Sequence, residues 1–221
     1  NVALQGPLAR TILAPLVTTP RHLASVAELP WFRFTVGRIG DLPVLVSRTG
    51  YTGELGYEIW CHPARAPELW DALFAAGAPH GLLPLGLDAL DMLRIEAGLA
   101  FAGYEFCDRT DPFAAGIGFT VPRSKQDAYV GATALRSRRD HPQQVLVGLE
   151  VEGNEPVEHG DPLFAGRAQV GIITSATRSP FIGRIIALAR VDVMHGGIGG
   201  TVEVDVLTGT QAFDIGAAAR S

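Results

Sequence analysis

Residues 47–61 read SRTGYTGELGYEIWC, and this stretch limits the possible fold more than any other. It overlaps LPVLVSR (42–48), an apolar run with β-branched residues, and closes on YEIWC, a second short run of strand character. Between them Gly50, Gly53 and Gly56 recur at every third position. Glycine accepts positive φ and lets backbone approach another group closely, so the pattern predicts a tight, shaped connection between two strands. Tyr51, Glu54, Tyr57, Glu58 and Trp60 bring aromatic faces and carboxylates to it. A pocket for a flat, nitrogen-rich ring needs such parts, an aromatic wall and a carboxylate to accept N–H bonds. A plain hairpin with core aromatics and solvated glutamates has the same local sequence.

WFRFTVG (31–37) and LPVLVSR read as strands joined by a short turn at Gly40-Asp41, and LGYEIWC (55–61) adds a third. Leu4, Leu8, Ile12, Leu13 and Leu16 are spaced for a short amphipathic helix starting near Pro7. Leu69, Trp70, Leu73 and Phe74 predict a helix ended by Gly77, and residues 86–99 a second one stopping at Gly98. Strands followed by helices in this order imply an α+β layer, an antiparallel sheet with helices on one face. Residues 102–122 read as a glycine-punctuated loop leading to a strand. The polar stretch 124–144, with its charge run Arg136–Asp140, places a domain boundary that gives regions 1–140 and 141–221. From Val145 onward VLVGLEV, QVGIITSA, RIIALARV and TVEVDVL alternate with turns, which predicts a small C-terminal β-barrel or sandwich. HGGIGG (195–200) lacks the lysine of a phosphate-cradling loop and reads as a turn before TVEVDVL.

The net charge of −5 gives no electrostatic footprint for nucleic acid. Two cysteines, Cys61 and Cys107, are too few for a disulfide framework or a four-ligand metal site. They fit a cytoplasmic or organelle-matrix setting. His62, His80, His141, His159 and His195 show no ligand spacing with them, so no metal is expected. No apolar run reaches the roughly 18 residues of a membrane span. Asn1 opens directly into VALQGP, like the middle of a longer polypeptide.

VALQGP, RTGYTGELGYEI, LRIEAGL, DPFAAGIGFTV, YVGATAL and VGIITSATRSP–IALA occur here in one order. In that order they resemble the C-terminal portion of the glycine cleavage T-protein family, the folate-dependent aminomethyltransferases and their demethylase relatives. The resemblance implies tetrahydrofolate-dependent one-carbon transfer in glycine catabolism, with the lipoyl carrier H-protein as a partner. It also implies a catalytic aspartate upstream of Asn1, so that the isolated chain would bind folate weakly and turn over nothing. By position it makes Glu58 the partner of the folate pterin, with Tyr51 and the backbone of Ile59 and Trp60 as neighbouring contacts. Phe119 stands where relatives carry Trp or Tyr against the pterin, keeping the ring face without the polar handle.

One position departs from the pattern. Related proteins approximate GLxARDxLRLEAG, whose first arginine contacts folate, whereas this chain has GLDALDMLRIEAG with Leu90 there. Leucine cannot pair with a carboxylate, and relatives that demethylate a small methylated amine, sulfonium or aryl ether tolerate apolar residues at this position. Arg94 and Glu96 are retained and expected to be structural, and Arg178 and Arg184 are candidates for folate's glutamyl tail. A third expectation, a folate-binding protein without turnover, is disfavoured because such relatives carry a KGC-type motif where this chain has SRTGYTGELGYE.

Overall fold

The computed structural model describes residues 1–124, 128–206 and 209–216, with side chains as far as Val204. Residues 125–127 of the polar stretch and Leu207 of TVEVDVL lie outside the described residues. The chain divides into two compact units, Asn1–Leu93 and Arg94–Ser221.

The first unit is one antiparallel sheet. Its strands are β1 (Val2–Gln5), β2 (Val17–Thr18), β3 (Phe34–Ile39), β4 (Leu42–Ser47) and β5 (Gly56–Trp60), in the order β1-β5-β4-β3-β2. The β3–β4 hairpin pairs Ile39 with Leu42 around Gly40, whose φ of +58° only glycine adopts at little cost. Side chains alternate across each strand. On β5, Tyr57 and Ile59 are buried, while Glu58 is half-buried and Trp60 is exposed. The apolar face packs Leu4, Val46, Tyr57 and Ile59 against Leu13 of α1 (Ala9–Leu13) and Leu69 of α2 (Ala66–Gly77). Helices on one face of an antiparallel sheet are thus the observed arrangement.

Two expectations need correction. The helix expected to start near Pro7 is present as Ala9–Leu13, but it does not take in Leu4, Leu8 or Leu16. Leu4 belongs to β1, opposite Tyr57, and Leu8 is 46% exposed. The spacing 4, 8, 12 therefore straddles a strand and a helix, separated by Gly6 at φ +116°. The loop 102–122 leads to no strand among the described residues. Gly118–Thr120 instead forms a 3-10 turn, closed by the Thr120 N–H on Ile117 O at 3.0 Å and the Val121 N–H on Gly118 O at 3.1 Å. These local bonds engage donors that a strand would offer to a ladder.

α3 (Leu87–Glu96) crosses the division between units and ends as the sequence predicts. Gly98 has φ +68°, and the Leu99 N–H returns to Arg94 O at 2.8 Å, a Schellman closure.

The second unit contains α4 (Ala132–Asp140) and a closed barrel. Its strands are β6 (Gln144–Val151), β7 (Pro162–Ala165), β8 (Ala168–Arg178), β9 (Ile185–Asp192), β10 (Thr201–Val206) and β11 (Gly209–Gly216), ordered β10-β11-β6-β9-β8-β7. Closure gives each strand a neighbour on both sides, the seam between β7 and β10 being made by Glu203 opposite Phe164 and Val204 opposite Leu163. Val147, Leu149, Leu163, Ile173, Ala189 and Val204 fill its interior. A register shift between Ile173 and Ser175 bulges β8. Residues 198–199 make the expected turn before β10, with Gly199 at φ +81°.

The barrel unit also holds a buried ionic cluster. Arg94 Nη1 donates to Glu105 Oε2 at 2.8 Å and Arg94 Nη2 to Ser175 Oγ at 2.7 Å. Ser175 Oγ in turn donates to Glu105 Oε1 at 2.5 Å, and the Phe101 N–H to Oε2 at 2.8 Å. The Arg94 guanidinium also lies 5.5 Å from the Phe101 ring centroid. Glu96 accepts from the Ser179 hydroxyl. Both α3 residues thus have the structural surroundings expected of them.

No helix is long and apolar enough to cross a membrane, and among the described residues no three His, Cys, Asp or Glu side chains are grouped to hold a metal ion.

Candidate functional site

The glycine-rich connection between β4 and β5 wraps around one side chain from β1. A Cβ at Gly50 or at Gly56 would lie 2.0 Å from Gln5 Oε1. The amide of Gln5 donates from Nε2 to Thr49 O and to Tyr57 O, both at 3.4 Å, while Thr52 Oγ1 donates to its Oε1 at 3.2 Å. Two of the three glycines therefore admit Gln5, and the third, Gly53, supplies a positive φ of +77°. The close approach that the sequence predicts is to a residue of the fold itself.

This packing aims the β5 side chains. Tyr57 points inward, its hydroxyl donating to Val26 O and accepting from Arg10 Nε, each at 3.2 Å. Glu58 points to the face without helices. Its Oε1 accepts from Asn1 Nδ2 at 3.0 Å and its Oε2 from the Thr49 hydroxyl, which lies 2.8 Å from Ser47 Oγ. Register places Ala3, Glu58, Ser47 and Phe34 in one row across the sheet, with Trp60, Leu45 and Val36 in the next. Phe34 and Trp60 are exposed, so a carboxylate in a small hydroxyl cluster stands beside two open aromatic surfaces. Each oxygen of Glu58 holds a neutral donor that a ligand N–H can displace, and no Lys or Arg is bonded to it among the described residues.

The other expected positions divide in two. Tyr51 lies half-buried in the connection, and Ile59 sends its side chain into the core, flanked by Val2 and Val46 on the neighbouring strands. Phe119 belongs to the second unit, where it is 78% exposed in the 3-10 turn and lines a cavity of about 500 Å3 with Phe113, Arg123 and Arg139. Arg178 and Arg184 lie elsewhere in that unit, donating to Asn154 Oδ1 at 2.9 Å and to Glu150 Oε2 at 3.0 Å. Sequence reasoning passed over Ser47, Thr49, Phe34 and Asn1. The first three are readable once β3, β4 and β5 are aligned; Asn1 carries no local signal.

A smaller cavity of about 290 Å3 in the second unit is lined by Cys107, Arg109, Thr110, Arg138 and Arg190, among others. There the backbone N–H of Arg109 and then the Thr110 hydroxyl hold the Cys107 thiol below its usual range.

Comparison with known proteins gives this geometry a context. The family model for the GCVT N-terminal domain matches residues 1–125, and that for the glycine cleavage T-protein C-terminal barrel domain matches residues 144–217. A trimethylamine-oxide aldolase of Ruegeria pomeroyi is 56% identical over 96% of this chain and 27% of its own length. An aminomethyltransferase of Streptomyces avermitilis is 38% identical over 97% of this chain and 58% of its own length. The crystal structure of glycine cleavage system aminomethyltransferase T from Bartonella henselae superposes with a TM-score of 0.84 at 27% identity, covering 97% of this chain and 57% of that one. The chain thus spans between about a quarter and three fifths of these relatives. With both family models matched in order, and a sheet unit and a closed barrel to correspond, the chain belongs to the glycine cleavage T-protein family.

Proposed function

We propose that this chain supplies the folate-binding side of a tetrahydrofolate-dependent one-carbon transfer. The observation that carries the reading is Glu58, a carboxylate held on an open face by exchangeable neutral donors. A reduced pterin presents a ring N–H beside an amino group, and a carboxylate accepts both in two charge-assisted bonds. Thr49 and Ser47 keep the carboxylate aimed, and Trp60 offers an apolar surface beside it. Tyr51 borders the same connection, and Ile59, with its side chain in the core, contributes backbone only. Phe119 offers an open ring face for stacking. Bound tetrahydrofolate supplies the nucleophilic nitrogen that receives the carbon unit. These residues supply orientation, which converts an encounter into a positioned reaction. The carboxylate that assists the chemistry is assigned to sequence outside these residues. Residues 1–140 act as the folate-binding region and 141–221 as the barrel domain, in a cytoplasmic setting.

The donor distinguishes two enzyme readings. An aminomethyl-loaded lipoyl carrier protein is the substrate if the chain acts as the aminomethyltransferases do. A methylated amine or its oxide is favoured by Leu90, and by the 56% identity to a protein named for trimethylamine oxide. The test is tetrahydrofolate-dependent turnover by the intact protein with each donor in turn. We expect turnover with one donor class. Tetrahydrofolate binding without turnover of either would point to a non-catalytic folate binder, and an absence of binding would remove the proposal.

A further inference from the structure

We propose that the cavity around Cys107 is an anion site, whose occupant, a small phosphate or carboxylate, shields the thiol. All of its lining residues belong to the second unit, and the inference does not rest on the folate reading. Its volume of about 290 Å3 sits at the lower edge of the roughly 300–1,000 Å3 usual for small-molecule sites. The occupant is therefore small.

Three elements supply its charges. Arg190 of β9 stands between Ala189 and Val191, which fill the barrel, so its side chain points from the outer face. Arg138 comes from the last turn of α4, and Arg109 from the loop before the barrel. Asp111 is the only carboxylate among the lining residues, and its Oδ1 already accepts the Phe113 and Ala114 N–H groups at 2.9 and 3.0 Å. Among the described residues neither Arg138 nor Arg190 is ion-paired with a carboxylate. Arg109 reaches only Asp108, at 3.9 Å, with both side chains in solvent. Guanidinium groups gathered on one cavity without matching carboxylates repel one another, and a bound anion removes that repulsion. A cation would add to it.

One hydroxyl ties the thiol to these cations. Thr110 Oγ1 accepts from the Cys107 N–H at 3.3 Å and from Arg190 Nη1 at 3.4 Å. Both of its acceptor positions are then taken, which leaves its proton to face Cys107 Sγ, 3.6 Å away. Arg190 Nη1 also donates to Glu105 O at 3.0 Å. The guanidinium is thus held in place by one nitrogen, and a planar group with five N–H donors keeps others for an oxoanion. An anion held there fills the cavity that the thiol lines. It also competes with the thiolate for the same positive field.

The experiment compares alkylation of Cys107 in the intact protein by anionic iodoacetate and by neutral iodoacetamide, read by peptide mass spectrometry, with N-acetylcysteine amide as the reference thiol. We expect the rate ratio of iodoacetate to iodoacetamide to exceed that of the reference thiol several-fold, because the arginines concentrate the anionic reagent. A changed thiol pKa alters both rates alike, so the ratio isolates the charge of the cavity. Inorganic phosphate or succinate should slow labelling by both reagents, beyond the effect of chloride at equal ionic strength. Arg109→Gln/Arg138→Gln, at two exposed positions, should weaken that protection roughly tenfold and lower the rate ratio toward that of the reference thiol. Protection by one probe alone upholds the site and names the group it prefers. A parent ratio equal to that of the reference thiol would overturn the proposal. So would protection no greater than chloride gives, or a ratio and protection that the double variant leaves unchanged.

Discussion

Glu58 in the sheet unit and Glu105 in the barrel unit both accept hydrogen bonds on each carboxylate oxygen, yet the donors differ in kind. Those of Glu58 are a threonine hydroxyl and an asparagine amide on an open face. Those of Glu105 are a guanidinium, a serine hydroxyl and a backbone N–H, in a cluster where Arg94 is 1% and Glu105 0% exposed. A carboxylate with neutral, solvent-reachable partners can exchange them for ligand N–H groups. One enclosed with a permanent cation cannot, because removing the cation would leave a buried charge. Glu105 is thus part of the construction, whereas Glu58 keeps the exchangeable surroundings that its proposed role in recognition requires.

The largest effect should come from breaking the enclosed pair. Arg94→Met leaves Glu105 buried and unpaired, and should lower stability by about 3–5 kcal/mol. The urea midpoint of the intact protein is the readout. The double variant Arg94→Met/Glu105→Leu should regain much of the loss, since a well-packed apolar pair of similar volume often matches a buried ion pair. A single variant within about 0.5 kcal/mol of the parent, the range of ordinary surface changes, would show that the cluster is not structural.

Glu58→Gln should reverse the pattern. The amide keeps the shape and one acceptor but loses the charge, so the midpoint should barely move. Tetrahydrofolate affinity should fall roughly tenfold or more, the worth of a hydrogen bond to a charged group. If stability falls while affinity holds, Glu58 is a second structural carboxylate and the contrast fails.

How much of this was readable in advance follows the range of the interactions. The β3–β4 hairpin showed in LPVLVS, whose alternation is a local property. The end of α3 showed in Gly98, and four barrel strands in their β-branched runs. The strands β1, β2, β7 and β11 did not show. VALQ, VT and PLFA are too short for a period to register, and GTQAFDIG carries few β-branched residues. The glycine spacing announced a close approach but not its object, because Gln5 lies 44 positions from Thr49 and 52 from Tyr57 in the chain. Arg94 was readable as structural, whereas Ser175, 81 positions away, was not readable as its partner. Glu58 itself came from a motif, and its surroundings came only with the register that set Ser47 and Phe34 beside it.

A smaller effect sharpens the same contrast through the two cysteines, Cys61 following β5 and Cys107 in the loop before the barrel. Cys107 is exposed, with the Arg109 N–H and the Thr110 hydroxyl, the latter 3.6 Å from Sγ, favouring the thiolate and lowering its pKa. The thiolate is the reactive form, so a lowered pKa raises the reactive fraction at neutral pH. Cys61 is half-buried against the first unit's core. At pH 7, alkylation of the intact protein by iodoacetamide, followed by peptide mass spectrometry, should label Cys107 several-fold faster than Cys61. The Cys107 rate should rise with pH through an inflection below the roughly 8.5 of an unperturbed thiol. Thr110→Val should move that inflection upward, because it removes one of the two groups that favour the charged form. If the variant leaves the inflection in place, Arg109, through its backbone N–H and its guanidinium, sets the pKa. If Cys107 titrates at or above the unperturbed value in the parent, the loop does not hold these donors toward sulfur in solution.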